Sequence, residues 1–165
     1  MADNIKAVSI GEMVVSNDKN DVLIAYGLGS CVAVCLYDPT AGIGGMLHAL
    51  LPIAPNGNIN ENTPAKFVDQ GVDLLIDSLL KRGANRTRLV AQFCGGAQML
   101  AMPGVNNSLN IGQRNVQQVE ASLQAAGLRI RAQDTGGHAG RTVKFYLVNG
   151  QVTVKTLGQG ERILS

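Results

Sequence analysis

Three cysteines and two histidines are the side chains of this 165-residue chain best suited to nucleophilic and acid–base chemistry near neutral pH. Cys31 follows Gly27-Leu28-Gly29-Ser30, and His48 lies within Met46-Leu47-His48-Ala49-Leu50-Leu51-Pro52. Glycines before a nucleophile let the backbone turn sharply and present unpaired N–H groups, as a developing oxyanion requires. Gly29 and Ser30 are the candidates for that backbone support. Histidine is the natural general base for a thiol, and an imidazolium beside Cys31 would lower the thiol pKa and hold it as thiolate. Cys31 and His48 are therefore the candidate catalytic pair.

The remaining reactive types read more plainly. Cys35 shares a strand face with Cys31 but lies about 13 Å along it, too far for a disulfide or a redox pair. It reads as core, as does Cys94 at the end of Gln92-Phe93-Cys94. His138 sits in Asp134-Thr135-Gly136-Gly137-His138-Ala139-Gly140-Arg141, an exposed loop. That loop leads into a strand and lacks the Lys-Ser/Thr of a phosphate-binding loop. Asp69, Asp73, Asp77 and Lys81 step by four along one helix face and read as a solvated surface with an Asp77–Lys81 pair, not a metal site. No metal or cofactor is expected.

Positioning the pair requires a hairpin. Val32, Val34 and Leu36 alternate with Cys31, Ala33, Cys35 and Tyr37, and after Asp38-Pro39 the chain returns through a second apolar run ending at Pro52. A two-residue loop at Pro39-Thr40 places Cys31 directly opposite His48, with Cβ atoms about 5 Å apart. A slip of one residue would put them on opposite faces, and Gly42, Gly44 and Gly45 could hold a bulge that resets the register.

Elsewhere, residues 5–15 and Val22–Tyr26 read as strands. Thr63-Pro64 predicts a helix start and Gly83 its end, with Val68, Val72, Leu75 and Leu79 as the apolar stripe. A strand at Arg88–Phe93 precedes the Gly95-Gly96 turn. A helix at about 112–126 follows, with Val116, Val119 and Leu123 inward and Gly127 as its stop. Leu128–Ala132 alternates as a half-buried strand, and residues 141–148 and 151–157 flank Asn149-Gly150 as a hairpin. The expected fold is α+β, a layered α/β sandwich of mostly antiparallel hairpins with two main helices packed on the sheets, in a single domain spanning 1–165.

Composition agrees. Hydrophobic residues make up 45% of the chain, but there are six aromatics and no Trp, so the core is aliphatic and disorder is excluded. A net charge of +2 without a Lys/Arg run argues against nucleic acid. No stretch of about 18 apolar residues predicts a transmembrane helix, and the first twelve residues hold no signal-like apolar run. With three cysteines at no scaffold spacing, a cytoplasmic protein is expected.

The segments 27–39, 44–52, 93–99, 111–115 and 134–141 (GLGSCVAVCLYDP, GGMLHALLP, FCGGAQM, IGQRN and DTGGHAGR), in this order, resemble the chemoreceptor glutamine deamidase family (CheD) of bacterial chemotaxis, from about residue 8 to residue 158. The resemblance implies hydrolysis of glutamine side-chain amides on the cytoplasmic helices of methyl-accepting receptors. It further implies action on glutamyl methyl esters, binding to a CheC-type phosphatase in some members, and a fold like that of toxin deamidases. The family's nucleophile falls on Cys31 and its histidine on His48. Its threonine, six positions before the cysteine, falls on Ala25, so either a backbone carbonyl or a water orients His48 or the enzyme is slower. Two alternatives follow: a catalytically weak module that docks on receptors or on the phosphatase, and a thiol hydrolase of small amides or esters.

Overall fold

The central strand of the molecule alternates between two cores. In β4 (Val32–Asp38), Val32, Val34 and Leu36 enter one apolar cluster, and Ala33 and Cys35 enter another. A strand buried on both faces needs a layer on each side of its sheet, and the rest of the chain supplies them. The computed structural model describes residues 4–57, 60–99 and 110–164. In chain order the elements are β1 (Asn4–Ala7), β2 (Met13–Ser16), β3 (Asp21–Leu28), β4, β5 (Ile43–Ala49), α1 (Val68–Lys81), β6 (Val90–Gly95), α2 (Ile111–Ala125), β7 (Arg129–Thr135), β8 (Arg141–Tyr146), β9 (Gln151–Thr156) and β10 (Glu161–Ile163).

They form two five-stranded sheets, ordered β1-β3-β8-β9-β10 and β2-β5-β4-β6-β7. Most pairs are antiparallel, but β1–β3 and β6–β7 are parallel. Between the sheets lie Leu23, Leu28, Cys35, Met46, Val143, Phe145 and Val154. Both helices cover the outer face of the second sheet, where Val68, Val72, Leu75, Leu79, Val119 and Leu123 meet Val34, Leu36, Leu47 and Phe93. The layers are helix, sheet, sheet: the α+β class expected, with both helices on one sheet.

Three local expectations shift. The first helix begins at Val68, because the residues from Thr63 onward are taken up by tertiary bonds. Ala65 N–H donates to the Gly11 carbonyl, Leu50 and Leu51 N–H donate to Lys66, and Phe67 bridges Leu51. Its stripe and its Asp77–Lys81 pair, 2.9 Å apart and exposed, are as predicted. In the late hairpin Tyr146 pairs with Gln151, so the loop takes four residues, 147–150, not the two of Asn149-Gly150. The β4–β5 hairpin likewise closes with Asp38 opposite Ile43. Its buried Asp38 carboxylate holds the four-residue loop, accepting from the N–H groups of Thr40 and Ala41 at 3.0 and 3.1 Å.

Candidate active site

That longer loop moves the hairpin register by two residues. Ala33 pairs with His48 and Val32 with Ala49, so the residue facing Cys31 in the continued register is Leu50, not His48. A shift of two preserves the face, whereas a shift of one would have reversed it. Cys31 and His48 are diagonal neighbours on the side of β4–β5 that looks toward the first sheet, where such pairs have Cα atoms about 7–8 Å apart. Cys31 lies just before β4, at the end of the segment where the chain leaves β3. A bulge between Ala25 and Leu28 breaks the β3–β8 register where Tyr26 is exposed, and after Leu28 the chain turns through Gly29 and Ser30 into β4.

His48 is 4% exposed. Its Nδ1 lies 2.9 Å from the Val8 carbonyl oxygen, and among the described residues its Nε2 has no partner. A carbonyl only accepts, so Nδ1 carries the hydrogen and Nε2 the lone pair. The group that holds the His48 ring is thus a backbone carbonyl. Ala25 is fully buried opposite Val143. Sequence reading could not name Val8, because a main-chain acceptor leaves no side-chain signal.

Beside Cys31 the candidate oxyanion donors are backbone N–H groups. Among the described residues, the N–H groups of Ser30 and Cys31 donate to no protein oxygen, while the carbonyls of Gly29 and Cys31 accept from Ala97 and Gly96 at 2.9 Å each. The bond to Ala97 fixes the peptide that carries the Ser30 N–H, and the bond to Gly96 fixes the one that follows Cys31. Gly95 makes this possible: its φ is +120°, and a Cβ there would fall 2.2 Å from the Cys31 carbonyl oxygen. Gly112 plays the same part on α2, where a Cβ would fall 2.4 Å from the Ala97 carbonyl oxygen.

Charge behaves differently from the thiolate–imidazolium expectation. Burial pushes the Cys31 thiol above its ordinary pKa, against a smaller lowering by its own backbone N–H. Burial also pushes His48 below its ordinary value, against the opposing effects of the Val8 carbonyl and the Glu12 charge. Partial removal from water disfavours both charged forms, which works against a standing thiolate–imidazolium pair. Cys31 is 7% exposed, whereas Cys35 and Cys94 are 2% and 0%. Burial drives Cys35 well above its ordinary value and Cys94 up to about 12. His138 is exposed with Nδ1 3.1 Å from the Gln98 carbonyl oxygen, in the loop where it was expected.

The model of the CheD chemotactic sensory transduction family matches residues 50–156. A Symbiobacterium thermophilum protein named "Probable chemoreceptor glutamine deamidase CheD" is 43% identical over 160 residues, 97% of each chain. Proteins of the same name from Desulfitobacterium hafniense (38% over 164 residues, 98% of this chain and 99% of that one) and Pyrococcus horikoshii (42% over 156 residues, 94% of each) are also similar. Among solved structures, the Bacillus licheniformis hypothetical protein YfiH aligns with a TM-score of 0.44 at 15% identity, covering 83% of this chain and 61% of that one.

Proposed function

The chain belongs to the CheD family of chemotactic sensory transduction, and from that premise we propose that it hydrolyses glutamine side-chain amides on the cytoplasmic helices of methyl-accepting chemoreceptors. Cys31 is the nucleophile and His48 the base. His48 Nε2 takes the Cys31 proton as Sγ attacks the amide carbon, and the Ser30 and Cys31 N–H groups hold the oxyanion. Nε2 returns that proton to the leaving nitrogen, ammonia departs, and a thioester joins Cys31 to the receptor. A water then gives a proton to Nε2 and adds to the thioester carbonyl. The C–S bond breaks, the thiol regains its proton, and glutamate remains. A glutamyl methyl ester follows the same route with methanol as leaving group.

The observation that carries this reading is His48 itself. Its Nδ1 is committed to the Val8 carbonyl, and its Nε2, without a partner among the described residues, lies on the strand face of the most exposed of the three thiols. An imidazole nitrogen whose lone pair is not committed elsewhere is what a general base requires. The enzyme acts in the cytoplasm on this reading, where the receptor helices are. No helix among the described residues is long and apolar enough to cross a membrane. A CheC-type phosphatase is a second partner, and copurification with it tests that point separately. Peptide mass mapping of a receptor cytoplasmic fragment after incubation tests the activity. Glutamine-to-glutamate conversion is expected with the wild type and not with Cys31→Ala, and faster turnover of a free glutamine analogue than of the fragment would favour a small-molecule hydrolase.

A further inference from the structure

Asn115 is fully buried on the first turns of α2, within the Ile111–Asn115 segment, and has no part in the chemistry just described. Its Nδ2 donates two hydrogen bonds, to the Ser30 carbonyl at 2.9 Å and to the Leu50 carbonyl at 3.0 Å. Ser30 immediately precedes the candidate nucleophile. Leu50 lies two residues beyond His48 and faces Cys31 in the continued register. One amide therefore ties the loop that carries the thiol to the end of the strand that carries the imidazole, where ladder pairing has stopped at Val32–Ala49.

The helix is held in place for this. Gly112, one turn earlier, lets α2 approach the Gly96 and Ala97 carbonyls, and the Asn110 side chain caps the helix by accepting from Gln113 N–H at 3.0 Å. The Ser30 carbonyl, fixed by Asn115, also sets the plane of the peptide whose N–H is the Cys31 donor. A carboxamide suits the place because both its hydrogens sit on one nitrogen and reach two acceptors without introducing charge. Removing it leaves two carbonyls without that donor beside the reacting groups.

We propose that Asn115 is a positioning residue for the Cys31–His48 pair, holding the nucleophile loop against the end of β5. This rests on the deamidase reading only for its turnover readout. Loosening the clamp unburies the thiol while spoiling its aim. Asn115→Leu, of similar size without donors, should lower kcat on a receptor fragment about 10- to 100-fold with KM within about twofold. In the same protein, labelling of Cys31 by a neutral alkylating reagent should become faster.

Two controls separate positioning from simple support of the fold. Val119→Ala removes buried side-chain volume from α2 without touching Ser30 or Leu50, and should leave Cys31 labelling and kcat at wild-type values at temperatures where both variants are folded by circular dichroism. Asn115→Asp keeps the size but retains a donor only while protonated, so its turnover should be lost as pH rises, where the wild type reaches its plateau. If Asn115→Leu matches Val119→Ala in both readouts, or Asn115→Asp follows the wild-type pH profile, the clamp is refuted. If no protein releases ammonia while Cys31 labelling still accelerates in Asn115→Leu, the clamp stands and the deamidase reading falls.

Discussion

His48 Nδ1 lies 2.9 Å from the carbonyl oxygen of Val8, forty positions earlier in the chain. The Val8 N–H in turn donates to the Ile24 carbonyl in β3 at 2.8 Å, so the acceptor is held by the first sheet while the imidazole belongs to the second. The tautomer that leaves Nε2 basic is thus fixed by the packing of one sheet on the other. A hydroxyl at position 25 is not needed for it.

The pH dependence follows from the direction of the His48 shift. Burial holds its pKa below the ordinary value of about 6.5, so the neutral base persists into mildly acid solution. Turnover should therefore be level around neutrality and fall only as pH drops through that lowered pKa. Below about 6.5 the unfolded chain binds a proton that folded His48 resists, so stability also declines on the acid side. His48→Ala should lower kcat about 100- to 10,000-fold and remove that acid limb. A limb that persists in His48→Ala would assign it to another group.

The cysteines should label in an order set by exposure. Cys31 reacts first, with a rate that climbs on the alkaline side because burial raises its pKa. Cys35 and Cys94 should label only on unfolding, since both are buried and Cys94 is pushed up to about 12. Alkylation followed by peptide mapping checks this. A Cys31 rate already level below about pH 8 would mean a preformed thiolate, which two partly desolvated neutral groups do not give.

Gly95→Ala tests the backbone around the thiol. A methyl group 2.2 Å from the Cys31 carbonyl oxygen, on a residue at φ +120°, forces the strand end apart. The conformational strain alone costs about 1–3 kcal/mol, measurable by denaturant unfolding. Turnover at a temperature where the variant is folded should drop as well. Gly42→Ala, at φ +67° but in open space within the β4–β5 loop, should cost stability without altering turnover of the folded protein.

Asp38 sets acid stability independently of the site. Burial alone would raise its pKa, but the Arg88 guanidinium at 3.0 Å and the N–H groups of Asn85, Ala41 and Thr40 outweigh it and bring the value to about 2. A depressed carboxylate stabilises above its unfolded pKa, and the contribution is lost as pH falls from about 4 to about 2. That contribution is about 2 kcal/mol at neutral pH. Asp38→Asn should be less stable than the wild type at neutral pH by about that amount, and the gap should close across the same acid window.

The parts of the fold legible in the sequence were those with period and punctuation. The α1 stripe Val68–Leu79 and the alternation through β4 each report which face is buried, and the structure buries them so. Loop lengths were not legible, because the Asp38 carboxylate closes four residues where Pro39-Thr40 suggested two. Because the displacement is even, Cys31 and His48 still lie on one face of β4–β5. The first turn of α1 starts later than Thr63-Pro64 suggests for a related reason, that signal yielding to bonds with Gly11 and Leu50 that no local pattern carries. Cys31 and His48 were readable as residue types. Val8 is not, since it acts through its backbone, and Asn115 lies in the 111–115 segment without any sign there of the Ser30 and Leu50 carbonyls it bonds.

Ammonia released on mixing the protein with a receptor cytoplasmic fragment tests the central claim most directly, measured for the wild type, Cys31→Ala and His48→Ala side by side. The account predicts release by the wild type, none by Cys31→Ala, and a residual fraction by His48→Ala. Release by Cys31→Ala at the wild-type rate, or by none of the three while the fragment still binds, would contradict it.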